Sequence, residues 1–394
     1  MRTHLSFLAF VTVLVSACAD RGTVTAPALP EAVTDVSLSR DGDHDEHESS
    51  TGGIFAETNS ATGNAVVAYA RGVDGSLSPL GSYSTGGNGT GGTVDPLASQ
   101  YALVLSPSRR YLFAVNAGSN TIATFEVKKH ELKLVGTVSS GGARPVSLAA
   151  TEHVLYALNA GNNVLAGFRI GGDGRLRTVP QWTRQLSAGA QGAAVVRFSR
   201  DGRVLAVAER ASNTIDSYVV NQNGALGRMT TTASSGRTPF GFDFGNGRLL
   251  VISEAASNAA SSYRARYGSL SLVSASVLAG PTAAVQRAPC WLIVSRNGRY
   301  AYTANAGSGT ITGYAISGEG ALSLVTSSGI TGDVGAGSTP LDLDVSDDGR
   351  FLYQLAAGTG EIVSFAIHRD GSLTRLSAVA AFAPRSGQMG IAAF

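Results

Sequence analysis

Hydrophobic and polar positions alternate in short runs along most of this chain, and polar turns separate the runs. In the clearest stretch four such runs follow one another, a period-two pattern that is typical of β-strands. The predicted strands are Cys290–Ser295, Tyr300–Ala304, Thr310–Ile316 and Ala321–Val325. Asn297-Gly298 and Glu319-Gly320 supply hairpin turns, where glycine permits the positive φ that these turns require. The pattern predicts an antiparallel unit of four strands.

This unit recurs along the chain with a period of roughly 43 to 57 residues. Clear copies are LFAVNAGSNTIATFEV (112–127), LYALNAGNNVLAGFRI (155–170) and LAVAERASNTIDSYVV (205–220). The second strand of successive copies ends at Asn116, Asn159, Glu209, Glu254 and Asn305. A single sheet cannot bury both of its faces, so units repeated at this spacing stack on one another as propeller blades. We therefore predict an all-β fold, a seven-bladed β-propeller spanning residues 53–394.

The two ends of the repeat region predict how the ring closes. The first copy begins directly at a second-type strand, Ile54–Thr58, with no first strand ahead of it. The last residues, GQMGIAAF (387–394), resemble the first-type strand RPVSLAAT (144–151). We expect Gly390–Phe394 to pair with Ile54–Thr58, which would close the ring and remove an exposed sheet edge.

The residues before the repeats predict export. Residues 1–19 read as a signal peptide, because the apolar run Leu5–Val15 is too short to span a bilayer stably. Val15-Ser16-Ala17-Cys18 resembles a bacterial lipobox, which implies cleavage before Cys18 and acylation of its sulfur, and Ala19 then favours the outer membrane. Ordinary cleavage after Ala19, giving a secreted protein, stays open.

Residues 20–52 read as a disordered polar tether. Within it, the acidic run Asp41–Glu48 contains His44 and His47, which could bind a divalent metal weakly. A solvated charged linker is the simpler interpretation.

Composition excludes several classes of function. Only 15% of residues are charged and the formal net charge is +2, so no basic stripe points to nucleic acid. The two cysteines are Cys18 and Cys290; the second lies in an apolar strand beside Trp291, which favours a buried structural thiol over a nucleophile. We expect no cofactor, a monomer, and membrane attachment only through the lipid anchor.

Propeller topology assigns residues to two faces of the ring. We call the face where first strands begin and second strands end the start face, and the opposite face, which carries the hairpin turns, the turn face. The start face collects Glu209 and Glu254 with the arginines that open first strands, Arg144, Arg237 and Arg287. Arginine forks bind carboxylate or phosphate, and a glutamate can act as general base toward water. Surface ion pairs around a channel rim are the alternative.

Other polar residues fit this site less well. Arg197, Asp243 and Asp344 lie inside first strands, where an interblade salt bridge is the simplest interpretation. The histidines of the repeat region are His130 and His153, predicted on the turn face, and His368 near the end of a third strand. None reaches the start face, which argues against a Ser-His-Asp triad or a histidine zinc site.

Several copies together resemble a known family. FSRDGRVLAVAERASNTIDSY (198–218), CWLIVSRNGRYAYTANAGSGTITGY (290–314) and TPLDLDVSDDGRFLYQL (339–355) are similar to the seven-bladed propeller lactonases, a family that includes bacterial 6-phosphogluconolactonases and fungal carboxymuconate-lactonizing enzymes. The resemblance implies cofactor-free opening or closing of a lactone ring, with Glu209 and Arg210 as the positions that carry over. The Pro-Arg-His opening of classical members is absent, and export argues against a cytoplasmic 6-phosphogluconolactone substrate.

Two main hypotheses follow from the sequence. In the first, the protein is an exported lactone hydrolase that acts on a small anionic lactone at an Arg/Glu-lined channel mouth on the start face. In the second, it is a non-catalytic cell-envelope propeller that binds a protein or glycan on that face. A metal-dependent propeller lactonase is a third option, since asparagine and glutamate oxygens could in principle ligate a cation.

Overall fold

A computed structural model describes residues 52–129 and 131–394, and the regular structure of this part is almost entirely β-strand. Its strands form seven sheets, and three short 3-10 helices, Pro180–Trp182, Asn246–Arg248 and Ala255–Ser257, lie in loops. The predicted signal peptide and lipobox with Cys18, the predicted tether with His44 and His47, and His130 lie outside the described residues.

Each sheet is one blade, with antiparallel strands in sequential order. From the first strand to the fourth, blade 1 consists of Met389–Ala393, Gly52–Glu57, Ala65–Arg71 and Leu77–Ser84, and blade 2 of Leu103–Leu105, Tyr111–Asn116, Thr121–Lys128 and Glu131–Ser139. Blade 3 consists of Pro145–Ala150, Val154–Asn159, Val164–Ile170 and Leu176–Thr178 with Arg184–Gln185. Blade 4 consists of Ala193–Phe198, Val204–Glu209, Thr214–Val220 and Leu226–Ala233. Blade 5 consists of Pro239–Phe244, Leu249–Glu254, Ala259–Arg266 and Ser269–Leu278. Blade 6 consists of Pro289–Val294, Tyr300–Asn305, Thr310–Ile316 and Leu322–Leu324 with Gly332–Asp333. Blade 7 consists of Pro340–Val345, Phe351–Ala356, Glu361–Ile367 and Leu373–Ala380.

The first strands line the centre of a closed ring, because each contacts the first strands of the two neighbouring blades. The ring closes as the sequence predicts: the C-terminal strand is the first strand of blade 1, where Ala393 pairs with Ile54 and Met389 with Glu57. An ion pair between Arg71 and Asp348, with Nη1 and Oδ2 3.2 Å apart, ties blade 1 to blade 7. The prediction of a seven-bladed, C-terminally closed propeller is confirmed.

Neighbouring blades are also joined by repeated hydrogen bonds from buried tyrosines. The hydroxyl groups of Tyr156, Tyr302 and Tyr353 donate to glycine carbonyls in the third-to-fourth turn of the next blade, at 2.9, 3.0 and 3.1 Å. The rings of these tyrosines are completely buried, so each phenol bonds across the interface while its ring adds apolar area. The packing between blades is therefore specific as well as hydrophobic.

A segment of the chain enters the central channel from the start face. We call this segment, Leu97–Ala102, the plug; all six of its residues are buried. The Ser99 hydroxyl donates to the carbonyl of Val146 at 2.8 Å, and the Ser99 carbonyl accepts from the Trp291 indole at 2.7 Å. The Gln100 amide bonds both the carbonyl and the N–H of Leu292, at 2.8 and 3.2 Å. The plug therefore closes the start-face end of the channel.

The channel wall is adapted to receive the plug. A Cβ atom on Gly241 would collide with the Gln100 side chain and with the backbone of Cys290 and Leu292, so this position leaves no room for a larger residue. The first strand of blade 2, Leu103–Leu105, is the shortest of the seven because the residues before it form the plug. The part of the channel toward the turn face stays open.

Candidate functional site

The open part of the channel is a cavity of about 1290 Å³ on the turn face. Its walls are the ends of first strands, the turns that follow them, one third-to-fourth turn and the C-terminal strand: Leu103–Arg109, Ala150–Val154, Phe198–Arg203, Asn221–Gly224 and Ile391–Phe394. Tyr101, the fifth residue of the plug, also lines the cavity. The volume is ample for a small organic ligand, for which pockets of roughly 300–1,000 Å³ are usual.

A charged group lies beside Tyr101 in this cavity. Nε of Arg197 is 3.3 Å from Oδ1 of Asp243, which confirms the predicted interblade ion pair between blades 4 and 5. The Arg197 guanidinium carbon is 4.1 Å from the centroid of the Tyr101 ring, a cation–π contact. In the described part of the chain, Nη1 and Nη2 of Arg197 have no hydrogen-bond partner, and 27% of the side chain is exposed. These two nitrogen atoms are available to an anion.

Asp344 supplies a carboxylate in the same cavity. Oδ2 accepts from the N–H of Ala393 at 2.9 Å, Oδ1 accepts from the N–H of Val345 at 2.8 Å, and Nη2 of Arg296 is 3.6 Å from Oδ1. Burial raises the pKa of Asp344 above its ordinary value, although Arg296 and the two backbone N–H groups oppose the shift. With 18% of its side chain exposed, Asp344 can still meet a ligand.

Two other arginines that line the cavity are held by several protein partners. Arg200 reaches from blade 4 to blade 6, where its guanidinium donates to the carbonyls of Ser295 and Arg296, both at 2.9 Å. Nη2 of Arg296 is 3.6 Å from Oδ1 of Asp347 in blade 7, and Asp347 also pairs with Arg109 of blade 2. These contacts fix the rim of the cavity. Arg197 differs from Arg200 and Arg296 because two of its guanidinium nitrogen atoms have no hydrogen-bond partner among the described residues.

The start face has a different character. The register pairs Ala193 with Glu209 and Pro239 with Glu254, so the predicted assignment of these glutamates to the face where first strands begin is confirmed. Neither glutamate has exposed surface, however, and neither lines the cavity. The plug fills the channel at this end, so the structure differs from the expected Arg/Glu-lined channel mouth.

The two glutamates are enclosed by segments that cross from one blade to the next. Glu209 accepts hydrogen bonds from Ser212 and Thr214, at 3.0 and 2.8 Å, and burial together with the nearby Asp216 raises its pKa to about 7. Glu254 accepts from the N–H of Gly236 and from the hydroxyls of Ser234, Ser261 and Ser276. Ser187, which donates to Glu209 at 3.4 Å, lies in a crossover segment, as do Ser234 and Gly236; the other donors belong to the glutamates' own blades. Their catalytic role stays a prediction.

The predicted arginines of the start face do not contact these glutamates. Arg144, Arg237 and Arg287 are exposed, and none of them makes an ion pair within the described residues. Nη2 of Arg144 donates to the Pro96 carbonyl at 2.8 Å, and Nη2 of Arg287 donates to the Gly307 carbonyl at 3.1 Å. Arg210 is half-buried, and its Nε is buried without a partner. The structure does not gather these residues into one site.

Several other sequence predictions concern packing. Cys290 and Trp291 are completely buried, and Trp291 packs edge-to-face on Phe240 with centroids 5.2 Å apart. His153 lies on the turn face, as predicted, and lines the cavity. Across residues 52–129 and 131–394, no group of three histidine, cysteine or acidic side chains could hold a metal ion. The sequence did contain a signal for this cavity, because Arg197, Asp243 and Asp344 are charged residues inside predicted first strands, which line the channel.

Comparison with known proteins identifies one matching family, described as lactonase, 7-bladed β-propeller, over residues 62–185, 171–286 and 278–389. The structure of the periplasmic gluconolactonase PpgL from Pseudomonas aeruginosa is similar at 18% identity and a TM-score of 0.66, with 87% of this chain and 98% of that one covered. A Lactobacillus plantarum protein is similar at 19% identity and a TM-score of 0.70, with 87% and 99% covered.

A third similar structure, from Bacteroides fragilis NCTC 9343, was named provisionally as a 6-phosphogluconolactonase; it is 18% identical with a TM-score of 0.68, and 89% of this chain and 100% of that one are covered. At these identities the likeness shows the fold alone. No curated protein matches the chain significantly. Within the described residues, no helix is both long and apolar enough to cross a membrane.

Proposed function

This chain belongs to the family of seven-bladed β-propeller lactonases, and on that premise we propose that it hydrolyses a small anionic lactone, without a cofactor, in the turn-face cavity. The observation that carries the proposal is the Arg197 side chain, which lines the cavity and has two nitrogen atoms without a hydrogen-bond partner in the part of the chain that the structure describes. A guanidinium fork matches the geometry of a carboxylate or phosphate group. Arg197 therefore binds the anionic group of the substrate.

Asp344 acts as general base in this proposal. It removes a proton from a water molecule as the water oxygen bonds to the acyl carbon of the lactone. The ring C–O bond then breaks, and the departing oxygen takes up a proton to give the hydroxy acid. Burial raises the pKa of Asp344, so its carboxylate is a better proton acceptor than an exposed aspartate. Arg296, 3.6 Å from Oδ1, keeps that carboxylate oriented.

The reaction takes place in the cell envelope in this proposal, either on a lipid anchor at Cys18 or after secretion. The signal peptide and lipobox read from residues 1–19 support export, and a periplasmic gluconolactonase shares the fold. The substrate is accordingly an extracytoplasmic lactone that carries a carboxylate or another anionic group.

A matched pair of substrates tests the proposal. D-glucaro-1,4-lactone carries a carboxylate, whereas D-glucono-1,5-lactone does not. We expect turnover of the first to survive EDTA, and we expect Arg197→Met to raise its KM about 10- to 100-fold, the loss of a charge-assisted bidentate contact. The variant should change KM for the neutral lactone less than threefold. Arg237→Ala, which removes an exposed arginine of the start face, is the matched control.

Other outcomes would favour other functions. If Arg237→Ala or Glu209→Gln abolishes turnover while Arg197→Met does not, the start-face site predicted from the sequence becomes the better one. Activity lost to EDTA and regained with calcium would favour a metal-dependent lactonase. Without turnover of either lactone, a non-catalytic envelope module is favoured. The exposed Arg144, Arg237 and Arg287, which make no ion pair with any described residue, would then be its binding surface.

A further inference from the structure

Tyr101 has an unusual backbone conformation at the inner end of the cavity. Its φ is +66°, in the left-handed region that a bulky aromatic residue rarely adopts, and only 6% of the residue is exposed. Such a conformation costs on the order of 1–3 kcal/mol and persists only where the surrounding structure imposes it. Strained conformations of this kind are concentrated at functional sites, and Tyr101 lies at such a candidate site.

Three blades fix Tyr101 from different directions. Its N–H donates to Oδ1 of Asp342 in blade 7 at 3.2 Å, and its carbonyl accepts from the N–H of Leu148 in blade 3 at 2.9 Å. Its hydroxyl donates to the carbonyl of Phe242 in blade 5 at 3.2 Å. The ring is therefore anchored at both ends and cannot rotate away from its position across the channel.

The anchored ring contacts the proposed anion-binding group. The guanidinium carbon of Arg197 is 4.1 Å from the ring centroid, and Asp243 binds Arg197 through Nε. The ring and the carboxylate together restrict the guanidinium to one orientation and leave Nη1 and Nη2 to the cavity. We propose that Tyr101 is a positioning residue, which orients Arg197 for the anionic group of the lactone. This inference rests on the proposed function of the cavity.

The plug provides a matched control for this role. Gln100 is adjacent to Tyr101 and bonds the backbone of Leu292, but its side chain makes no contact with Arg197 among the described residues. Gln100→Ala should therefore weaken the plug without moving the guanidinium. A purely structural role for Tyr101 predicts that Gln100→Ala and Tyr101→Leu change substrate binding equally.

The experiment measures kcat, KM and Tm for the purified protein with D-glucaro-1,4-lactone. We expect Tyr101→Leu to raise KM about tenfold with kcat within threefold, because the guanidinium keeps its charge but loses its orientation. Tyr101→Phe keeps the ring, so its KM should stay within threefold of the parent value. Gln100→Ala should lower Tm and leave KM within threefold. An unchanged KM in Tyr101→Leu, or an equal rise in Gln100→Ala, would overturn the inference.

Arg197→Met, measured alongside, separates this inference from the proposed function. If Arg197→Met raises KM and Tyr101→Leu does not, the positioning role alone fails. If Arg197→Met leaves KM unchanged, the proposed site fails. In the double variant, a positioning role predicts that Tyr101→Leu adds less than twofold to the effect of Arg197→Met on KM, since the two changes remove the same interaction.

Calorimetric binding of D-glucarate by the same variants provides a second readout that does not depend on turnover. A protein that neither turns over the lactone nor binds D-glucarate contradicts both proposals.

Discussion

The two ends of the central channel are built from the same repeat, but charged side chains are buried at one end and accessible to a ligand at the other. At the start face, the plug fills the channel, and the carboxylates of Glu209 and Glu254 are enclosed by their own blades and by crossover segments. At the turn face, the channel stays open, and two nitrogen atoms of Arg197 have no hydrogen-bond partner among the described residues. The difference shows that a conspicuous charged residue in a propeller is a site candidate only where the channel leaves it accessible.

The largest expected effect tests the open end. Asp344→Asn should lower kcat for D-glucaro-1,4-lactone about 100- to 10,000-fold, because amide nitrogen and oxygen cannot accept the proton from water. Its KM should change much less, since Arg197 is intact. Steady-state kinetics checks this, with Asp201→Asn as control; Asp201 also lines the cavity but pairs with Arg248. A kcat within threefold of the parent would remove Asp344 from the mechanism.

A smaller effect tests the closed end. Glu254→Gln should cost about 1–3 kcal/mol of unfolding free energy, because an amide cannot accept all the hydrogen bonds that the Glu254 carboxylate receives. The variant should keep kcat/KM within threefold. Urea unfolding and kinetics on one preparation check both values. A stable but inactive Glu254→Gln protein would restore the catalytic interpretation of the start face and reverse the comparison between the two ends.

A more gradual effect, spread over several pH units, is a pH dependence of stability at the plug. Burial raises the pKa of Asp342, the acceptor for Tyr101, to about 7. The folded state then holds this proton more tightly than the unfolded state, so the contribution of Asp342 to stability is greatest below about pH 4 and falls as pH rises to about 7, by at most about 1.4 kcal/mol per pH unit. The free energy of unfolding should therefore fall less steeply with pH in Asp342→Asn than in the parent protein.

Urea unfolding between pH 4.5 and 8 measures that slope. Burial also raises the pKa of Glu57 and Glu209, so both contribute a slope of the same sign and the variant retains part of the dependence. Identical slopes in the parent protein and in Asp342→Asn would show that Asp342 is ionised in the folded state throughout this range.

Much of the fold could be predicted from the chain because its determinants are local. Asn297-Gly298 sets a hairpin between Pro289–Val294 and Tyr300–Asn305, and a first-to-second hairpin recurs in blades 2 to 7, so the period, the strand order and the face of each turn follow from the repeat. Ring closure could be predicted because the C-terminal residues resemble a first-type strand, which the first copy lacks. The ion pair between Arg197 and Asp243 could be predicted because these residues lie inside the first strands of adjacent blades.

The plug could not be predicted, because its partners are far away in sequence. Ser99 and Gln100 bond Trp291 and Leu292 across the channel, and nothing in the sequence around residue 99 indicates those contacts. Burial of Glu209 and Glu254 likewise depends on crossover segments whose course the repeat does not specify. The sequence therefore located charged residues on the correct face of the ring, whereas their access to a ligand depended on the closure of one end of the channel.

The position of the C-terminal strand has a consequence for the order of events during synthesis. Among the strands of the ring, Gly52–Glu57 is synthesised first and its partner Met389–Ala393 last. At about 5–20 residues per second, the ribosome needs roughly 20 to 70 s to make the chain between them. Until then, the earliest blade has an unpaired edge. A chain that stopped before Met389 would lack the strand that closes the ring, and Gly52–Glu57 would keep an unpaired edge.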